Sequence, residues 1–175
     1  MDGTGYVFGE MGDVTWGWIQ PLWNVTLLRM KADTHQDSGS LKTKDTPEIA
    51  YWTAGHTGPK VMLVMGYCMR GDLWKPQIRG LSDAHQLLWY DHRGLGESGP
   101  SPRFPWRMKD MSRDAFSVLD AAGWSDGVHL VGVSMGGMIA QEMALAHPER
   151  FRSLTLIATH PGGRLGFTIP PFQGL

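Results

Sequence analysis

The run Gly132-Val133-Ser134-Met135-Gly136 carries the residue types most able to do chemistry in this chain. It joins an apolar stretch, Val128 to Val133, directly to a helical one, Ser134 to His147, which stops at Pro148. A sharp turn between a buried strand and a helix strains its central serine and projects the Oγ above the sheet. Side chains two residues either side of that serine would collide, so glycine is needed at Gly132 and Gly136. Gly137 adds room where the helix passes the strand. The N–H of Met135, in the helix's first turn, has no intrahelical acceptor and lies at the positive end of the helix dipole. Ser134 is therefore a candidate nucleophile and Met135 a candidate oxyanion donor. The plainer alternative makes Ser134 a helix cap.

The elements that must position this turn follow the hydrophobic pattern. Val61-Met62-Leu63-Val64-Met65 and Leu87-Leu88-Trp89-Tyr90 are continuous apolar runs, as in strands covered on both faces. Glu48 to Trp52 and Leu154 to Ala158 read as further strands. Asp72 to Leu81 has helical spacing at Leu73, Trp74, Ile78 and Leu81, with Pro76 in the first turn. Met108 to Ala122 is predicted to be a helix with Met111, Ala115, Val118 and Leu119 on one face and Gly123 closing it. Strands alternating with helices predict an α/β fold, a mostly parallel sheet with flanking helices. Ligands bind beyond the carboxyl ends of such strands. Gly66-Tyr67, Asp91 to Ser98 and Gly132 to Gly136 fall there, on one rim. Residues 1–45 read as an unassigned extension, with Lys31 to Lys44 a polar linker, and 46–175 as the domain. The tail from His160 reads as a loop.

Residues from about 46 to 163 resemble the N-terminal half of an α/β-hydrolase. The serine turn and the helix after it, through Gln141-Glu142-Met143-Ala144 to His147-Pro148-Glu149-Arg150, are similar to esterase-like and peptidase-like members. Asp91-His92-Arg93-Gly94-Leu95-Gly96-Glu97-Ser98 matches the family's D-x-R-G-x-G-x-S turn. Met65-Gly66-Tyr67 stands where the family has its His-Gly-x oxyanion turn, with Met65 in place of the histidine. The resemblance implies a serine hydrolase that cleaves an ester or amide through an acyl-enzyme. Ser134 is then the nucleophile, the N–H groups of Tyr67 and Met135 form the oxyanion hole, and Gly66, Gly132 and Gly136 shape the site. It implies a small-molecule acyl substrate and neither metal nor cofactor. Acyl transfer and cofactor-free peroxidase chemistry also occur on this fold.

A serine hydroxyl needs a base. The family's order is nucleophile, acid, then histidine. After Ser134 the chain offers Glu142, Glu149, His147 and His160. Glu142 and His147 belong to the serine's own helix and run away from the rim, and Glu149 follows at its far end. His160 comes just after a strand's carboxyl end and reads as a loop histidine. The expectation is a truncated core lacking the lid and last strands, with acid and histidine beyond Leu175. The strand 154–158 is then an exposed apolar edge through which the chain self-associates. The alternative function is a non-catalytic, hydrolase-like binding or interaction protein. A dinucleotide-binding oxidoreductase is a distant third, because Gly94-Leu95-Gly96 lacks the third glycine and the helix such a site needs.

Composition sets the remaining bounds. The 175 residues, 42% hydrophobic and 19% charged, suit one soluble domain. A net charge of −1 with scattered Lys and Arg predicts no nucleic-acid partner. Val14 to Met30 is apolar-rich but broken by Gln20, Pro21 and Asn24, so no membrane span is expected. Cys68, the single cysteine, fits a reducing, cytoplasmic location and reads as a small hydrophobe rather than a reactive thiol. The Asp91 to Ser98 turn reads as structural, with Arg93 bonding carbonyls or a carboxylate.

Overall fold

A computed structural model describes residues 9–10, 15–16, 36–41, 47–101 and 105–162. The chain divides into two units, Met1–Ala32 and Asp33–Leu175. In the first, Gly9–Glu10 (β1) pairs antiparallel with Thr15–Trp16 (β2). The second unit holds Gln36–Leu41 (β3), Ile49–Ala54 (β4), Lys60–Val64 (β5), Lys75–Leu81 (α1) and Gln86–Tyr90 (β6). Met108–Ala121 (α2), Val128–Val133 (β7), Met135–Ala146 (α3) and Phe151–Ile157 (β8) follow. Among the described residues, six strands form one sheet in the order β3-β4-β6-β5-β7-β8. The β6-β5-β7-β8 pairs are parallel, and β3 and β4 are antiparallel additions at one side. No helix among the described residues is long and apolar enough to cross a membrane.

The apolar runs are buried on both faces because helices cover both sides of the sheet. Met62, Val64, Leu88, Tyr90 and Leu130 pack with α2 and α3 through Met111, Val118, Leu119, Ile139 and Met143. Their alternates Val61, Leu63, Met65, Leu87 and Trp89 pack with Trp74 and Ile78 on the opposite face. That is the period of two expected of a pleated strand.

Two segments differ from their sequence pattern. Asp72 to Leu81 is not one helix. A 3₁₀ turn, Gly71–Trp74, precedes α1, and Pro76 lies in the first turn of α1. The 3₁₀ turn winds at three residues per turn, so only Trp74 and Ile78 face the core while Leu73 and Leu81 stay exposed. Within the stretch read as a linker, Gln36–Leu41 is a strand paired with β4 from Gln36↔Ala54 to Leu41↔Ile49. Its sequence has no apolar alternation, and it is the backbone ladder with β4 that shows it to be a strand. Gly39 fits there by close approach: a Cβ would lie 2.7 Å from the Tyr51 ring.

One charged pair is buried between the rim and α2. Arg93 Nε and Nη2 donate to the two Asp114 carboxylate oxygens at 2.6 and 2.7 Å. Both side chains are almost wholly inaccessible. Burial pushes the Asp114 carboxyl up, and the guanidinium pulls it back toward the ionised form. Removing one partner strands the other's charge, so Arg93→Ala is expected to cost about 3–5 kcal/mol, read as a lowered urea midpoint. A midpoint unchanged within error would show that the pair does not hold the turn to α2.

Among the described residues β8 is the edge strand of the sheet, with Leu154 37% and Leu156 43% exposed on one face of the strand. An apolar edge strand is a template for further pairing. Light scattering at tens of micromolar is expected to report a mass above that of one chain. Leu154→Lys with Leu156→Lys is expected to return it to the monomer. A wild-type chain that stays monomeric rejects edge association.

Candidate active site

β5, β6 and β7 run parallel and end at Val64, Tyr90 and Val133, so their three following turns share one rim. Ser134 follows β7 and precedes α3 with φ 54° and ψ −121°. A serine there is strained by roughly 1–3 kcal/mol. Its exposed side chain makes no cap hydrogen bond, so the helix-cap alternative is not what the geometry uses. The strain is held by hydrogen bonds to β8, to Thr159 just after it and to α3. Ser134 N–H donates to the Ile157 carbonyl at 2.9 Å. The Ser134 carbonyl accepts from Thr159 Oγ1 at 2.6 Å and from Gly137 N–H at 3.0 Å.

The glycines at Gly132 and Gly136 are required by backbone approach. A Cβ on Gly132 would meet the backbone of Gly136, and one on Gly136 would meet the Val64 and Met65 carbonyls. Both obstacles are main chain and cannot swing aside. The Gly137 constraint comes from an unforeseen neighbour: a Cβ there would lie 2.6 Å from Thr159 Cβ.

Met65-Gly66-Tyr67 lies against this turn. A Cβ on Gly66 would be 3.4 Å from Ser134 Cβ. Met65 is a buried strand-end residue packed in the core. Its carbonyl accepts a 2.7 Å bond from His92 Nε2. Tyr67 is 67% exposed at the site's mouth, and the Cys68 thiol bonded to its hydroxyl pushes the phenol up. Cys68 itself is exposed, with φ 55°, and is not the buried hydrophobe predicted from sequence. Met135 is the first residue of α3, where a backbone N–H has no intrahelical acceptor. The rim thus brings together Ser134, Gly66, Gly132 and Gly136, with Tyr67 and Met135 beside them.

The Asp91 to Ser98 turn braces this rim. Asp91 is buried and accepts from Gly71 N–H at 2.7 Å and Glu97 N–H at 2.9 Å. Ser98 Oγ donates to the Asp91 carbonyl at 2.7 Å and accepts from Ala50 N–H at 3.0 Å. Arg93 adds the Asp110 carbonyl and Ser101 Oγ to its Asp114 pair. Sequence reasoning foresaw a carboxylate for Arg93 without naming it. The available signal was Asp114 itself, a charge between Met111 and Val118 on the apolar face of α2. Thr159 and the His92–Met65 bond had no signal, because they join segments distant in sequence.

Under this rim is a cavity of about 120 Å³. Tyr67, Cys68 and Met135 line it from the turns beside Ser134, and Leu95, Trp106 and Met111 line the other side. His92 and Arg93 also border it, and its surface is mostly apolar.

The candidate partners of the serine are placed differently. His147 Nδ1 and Glu149 Oε1 are 3.1 Å apart, and both side chains are exposed. Glu149's own backbone N–H, then His147, hold its carboxyl below the usual range. They lie past the C-terminus of α3, whose twelve residues span about 18 Å from the serine turn. Glu142 lies midway along α3. His160 Nδ1 accepts from Gly162 N–H at 3.0 Å, and its carbonyl accepts from Gln141 Nε2 at 3.1 Å. The segment 163–175, predicted as a loop, is outside the described residues.

A family model described as alpha/beta hydrolase fold matches residues 59–173. The chain belongs to the α/β-hydrolase fold family. Among the relatives of this α/β-hydrolase is "Putative carbamate hydrolase RutD" of Azorhizobium caulinodans, 42% identical over 107 residues, or 61% of this chain and 40% of that protein. Pimeloyl–acyl-carrier-protein methyl ester esterase of Aeromonas hydrophila is 29% identical over 104 residues, 59% of this chain and 39% of that one. A hydrolase of Pseudomonas aeruginosa superposes with a TM-score of 0.66 at 30% identity, covering 70% of this chain and 46% of its own. This α/β-hydrolase chain therefore spans about 40% of the length of the curated relatives it matches.

Burial of His92 makes the rim sensitive to pH. Burial pushes the His92 imidazole below its ordinary 6.5, so the fold prefers the neutral ring. The unfolded chain then binds a proton first as pH falls. Stability is complete above about 6.5 and is lost as pH drops toward the folded value, by up to about 1.4 kcal/mol per pH unit. His92→Gln keeps a donor for Met65 but does not titrate. Urea midpoints at pH 7.5, 6.5 and 5.5 are expected to fall less steeply in the variant. Parallel curves would rule His92 out as the source.

Proposed function

We propose that this chain carries the nucleophile of a serine hydrolase that cleaves an ester or amide of a small acyl substrate. Ser134 attacks the acyl carbonyl, and the N–H groups of Tyr67 and Met135 receive the oxyanion. The carbonyl then re-forms as the bond to the leaving group breaks, the alcohol or amine departs with the proton that Ser134 gave up, and water hydrolyses the acyl-enzyme. No metal or cofactor takes part, and the chain acts in the cytoplasm. The observation carrying this reading is Ser134 at φ 54°, uncapped, against Gly66 and at the head of α3. A strained, exposed serine beside free helix-end N–H groups suits attack and oxyanion binding better than helix capping.

The His147–Glu149 pair, a helix length away from the serine, favours one second reading: a non-catalytic, hydrolase-like binding protein. A triad lacking a member retains only about 10³–10⁴-fold catalysis over water. A fluorophosphonate probe with intact-mass detection separates the two. Slow labelling of the folded chain, lost in Ser134→Ala, is expected. Equal labelling of the variant, or none of the folded wild type, rejects the nucleophile and leaves the binding reading.

A further inference from the structure

We infer that two copies of this chain pair through β8, so that the His147–Glu149 pair of one copy serves as general base for Ser134 of the other. The inference rests on the hydrolase reading, since it supplies the proton acceptor that the reading needs.

The strand edge is the first observation. Ser134 N–H donates to the Ile157 carbonyl, so Ile157 turns its main-chain groups toward β7. Those groups alternate along a strand, so Leu154 and Leu156 turn theirs toward the open edge. A register shift at Val128 and His129 leaves residues 153–157 as the regular run of β8. A closed two-fold pair joins the same edge of both copies, and the two strands then run antiparallel. Centred on Thr155, the pairing gives all five regular residues a partner. Leu154 faces Leu156 of the second copy through exchanged hydrogen bonds. Thr155 faces its own copy at the closer, non-hydrogen-bonded spacing, which suits a threonine pair. Arg152 lies outside the paired run, so no like charges are opposed.

A second uncovered surface continues this edge. Leu154 registers with Leu130, so it lies on the face of the sheet that α3 covers. Gly137 approaches Thr159, and Gln141 Nε2 donates to the His160 carbonyl, so this stripe of α3 faces the β8 side. Leu145, four residues on, shares the stripe and is 81% exposed. A two-fold axis perpendicular to the sheet keeps both α3 helices on one face. It brings the Leu145, Leu154 and Leu156 patches of the two copies together.

Topology then decides what meets Ser134. Ser134 sits at the carboxyl end of β8, whereas His147 and Glu149 lie just before its amino end. Within one copy, α3 separates them by about 18 Å. Antiparallel pairing sets the start of one β8 beside the end of the other. The exposed His–Glu pair of each copy therefore arrives at the rim of its partner. The pair is already oriented: Glu149 Oε1 is 3.1 Å from His147 Nδ1, and Phe116 packs edge-on against the imidazole. With Nδ1 engaged, Nε2 accepts the Oγ proton as Ser134 bonds the acyl carbon. It returns that proton to the leaving group as the second bond breaks.

The test uses the full chain at tens of micromolar, with fluorophosphonate labelling of Ser134 followed by intact mass. His147→Ala and His147→Gln are each expected to slow labelling by at least about a hundredfold. Ser134→Ala co-refolded with an equal amount of His147→Ala is expected to recover about a quarter of the wild-type labelling, since about half the pairs are mixed and one of their two sites is whole. The label is expected on the His147→Ala chain. Labelling undiminished in both His147 variants, or a mixture no faster than its parts, would overturn the inference. A cross-link reads the geometry without chemistry at the serine. In a Cys68→Ser background, a Ser134→Cys chain mixed with a His147→Cys chain is expected to be joined by a short bis-maleimide, and neither chain alone is. Failure of the mixed chains to cross-link also overturns the inference. A cross-link with no labelling of the wild type rejects the nucleophile reading, and the base role with it, while the pairing stands.

Discussion

The first turn of α3 can enter the rim only because two stretches of main chain come closer than a side chain would allow. Gly136 lies against the carbonyls of Val64 and Met65, and Gly132 lies against Gly136 itself. This approach joins β5, β7 and α3 into one rigid corner. It forces Ser134 into a backbone conformation that other residues avoid, and it leaves the Met135 N–H at a helix start. Every other feature of the site is arranged around that corner.

The corner is braced from two sides. On one, β8 receives the Ser134 N–H at Ile157 and returns a hydroxyl from Thr159 to the Ser134 carbonyl. On the other, His92 holds the Met65 carbonyl, and the buried Asp91 ties the same turn to Gly71. Arg93 then anchors it to α2 through Asp114. Buried polar groups of this kind are tolerable only when each has a partner. In this turn the partners are backbone atoms and, for Arg93, chiefly the Asp114 carboxylate of α2, so satisfying them also fixes the geometry. A strained serine persists where its surroundings over-determine it.

The same bracing explains why the space below the rim is apolar. Arg93 and His92 Nε2 direct their donors into the scaffold rather than toward the cavity they border. A site built this way offers polarity at the backbone N–H groups beside Ser134 and little elsewhere.

Much of this was legible from residue order alone. The glycine-flanked serine between an apolar run and a helix announced the turn, because only glycine survives such close approach. Continuous apolar runs at Val61 to Met65 and Leu87 to Tyr90 announced strands covered on both faces, and the order of elements announced a mostly parallel sheet. What the sequence could not supply were contacts between distant segments. Gln36–Leu41 is a strand paired with β4 and has no hydrophobic pattern to reveal it. Cys68 seemed a core residue by type, yet its turn places it at the surface. Thr159 and His92 owe their importance to the carbonyls they meet, and a carbonyl is the same in every residue. Sequence specified which side chains were available and where the chain must turn. Tertiary structure alone decided which main-chain groups they would reach, and so how Ser134 is held.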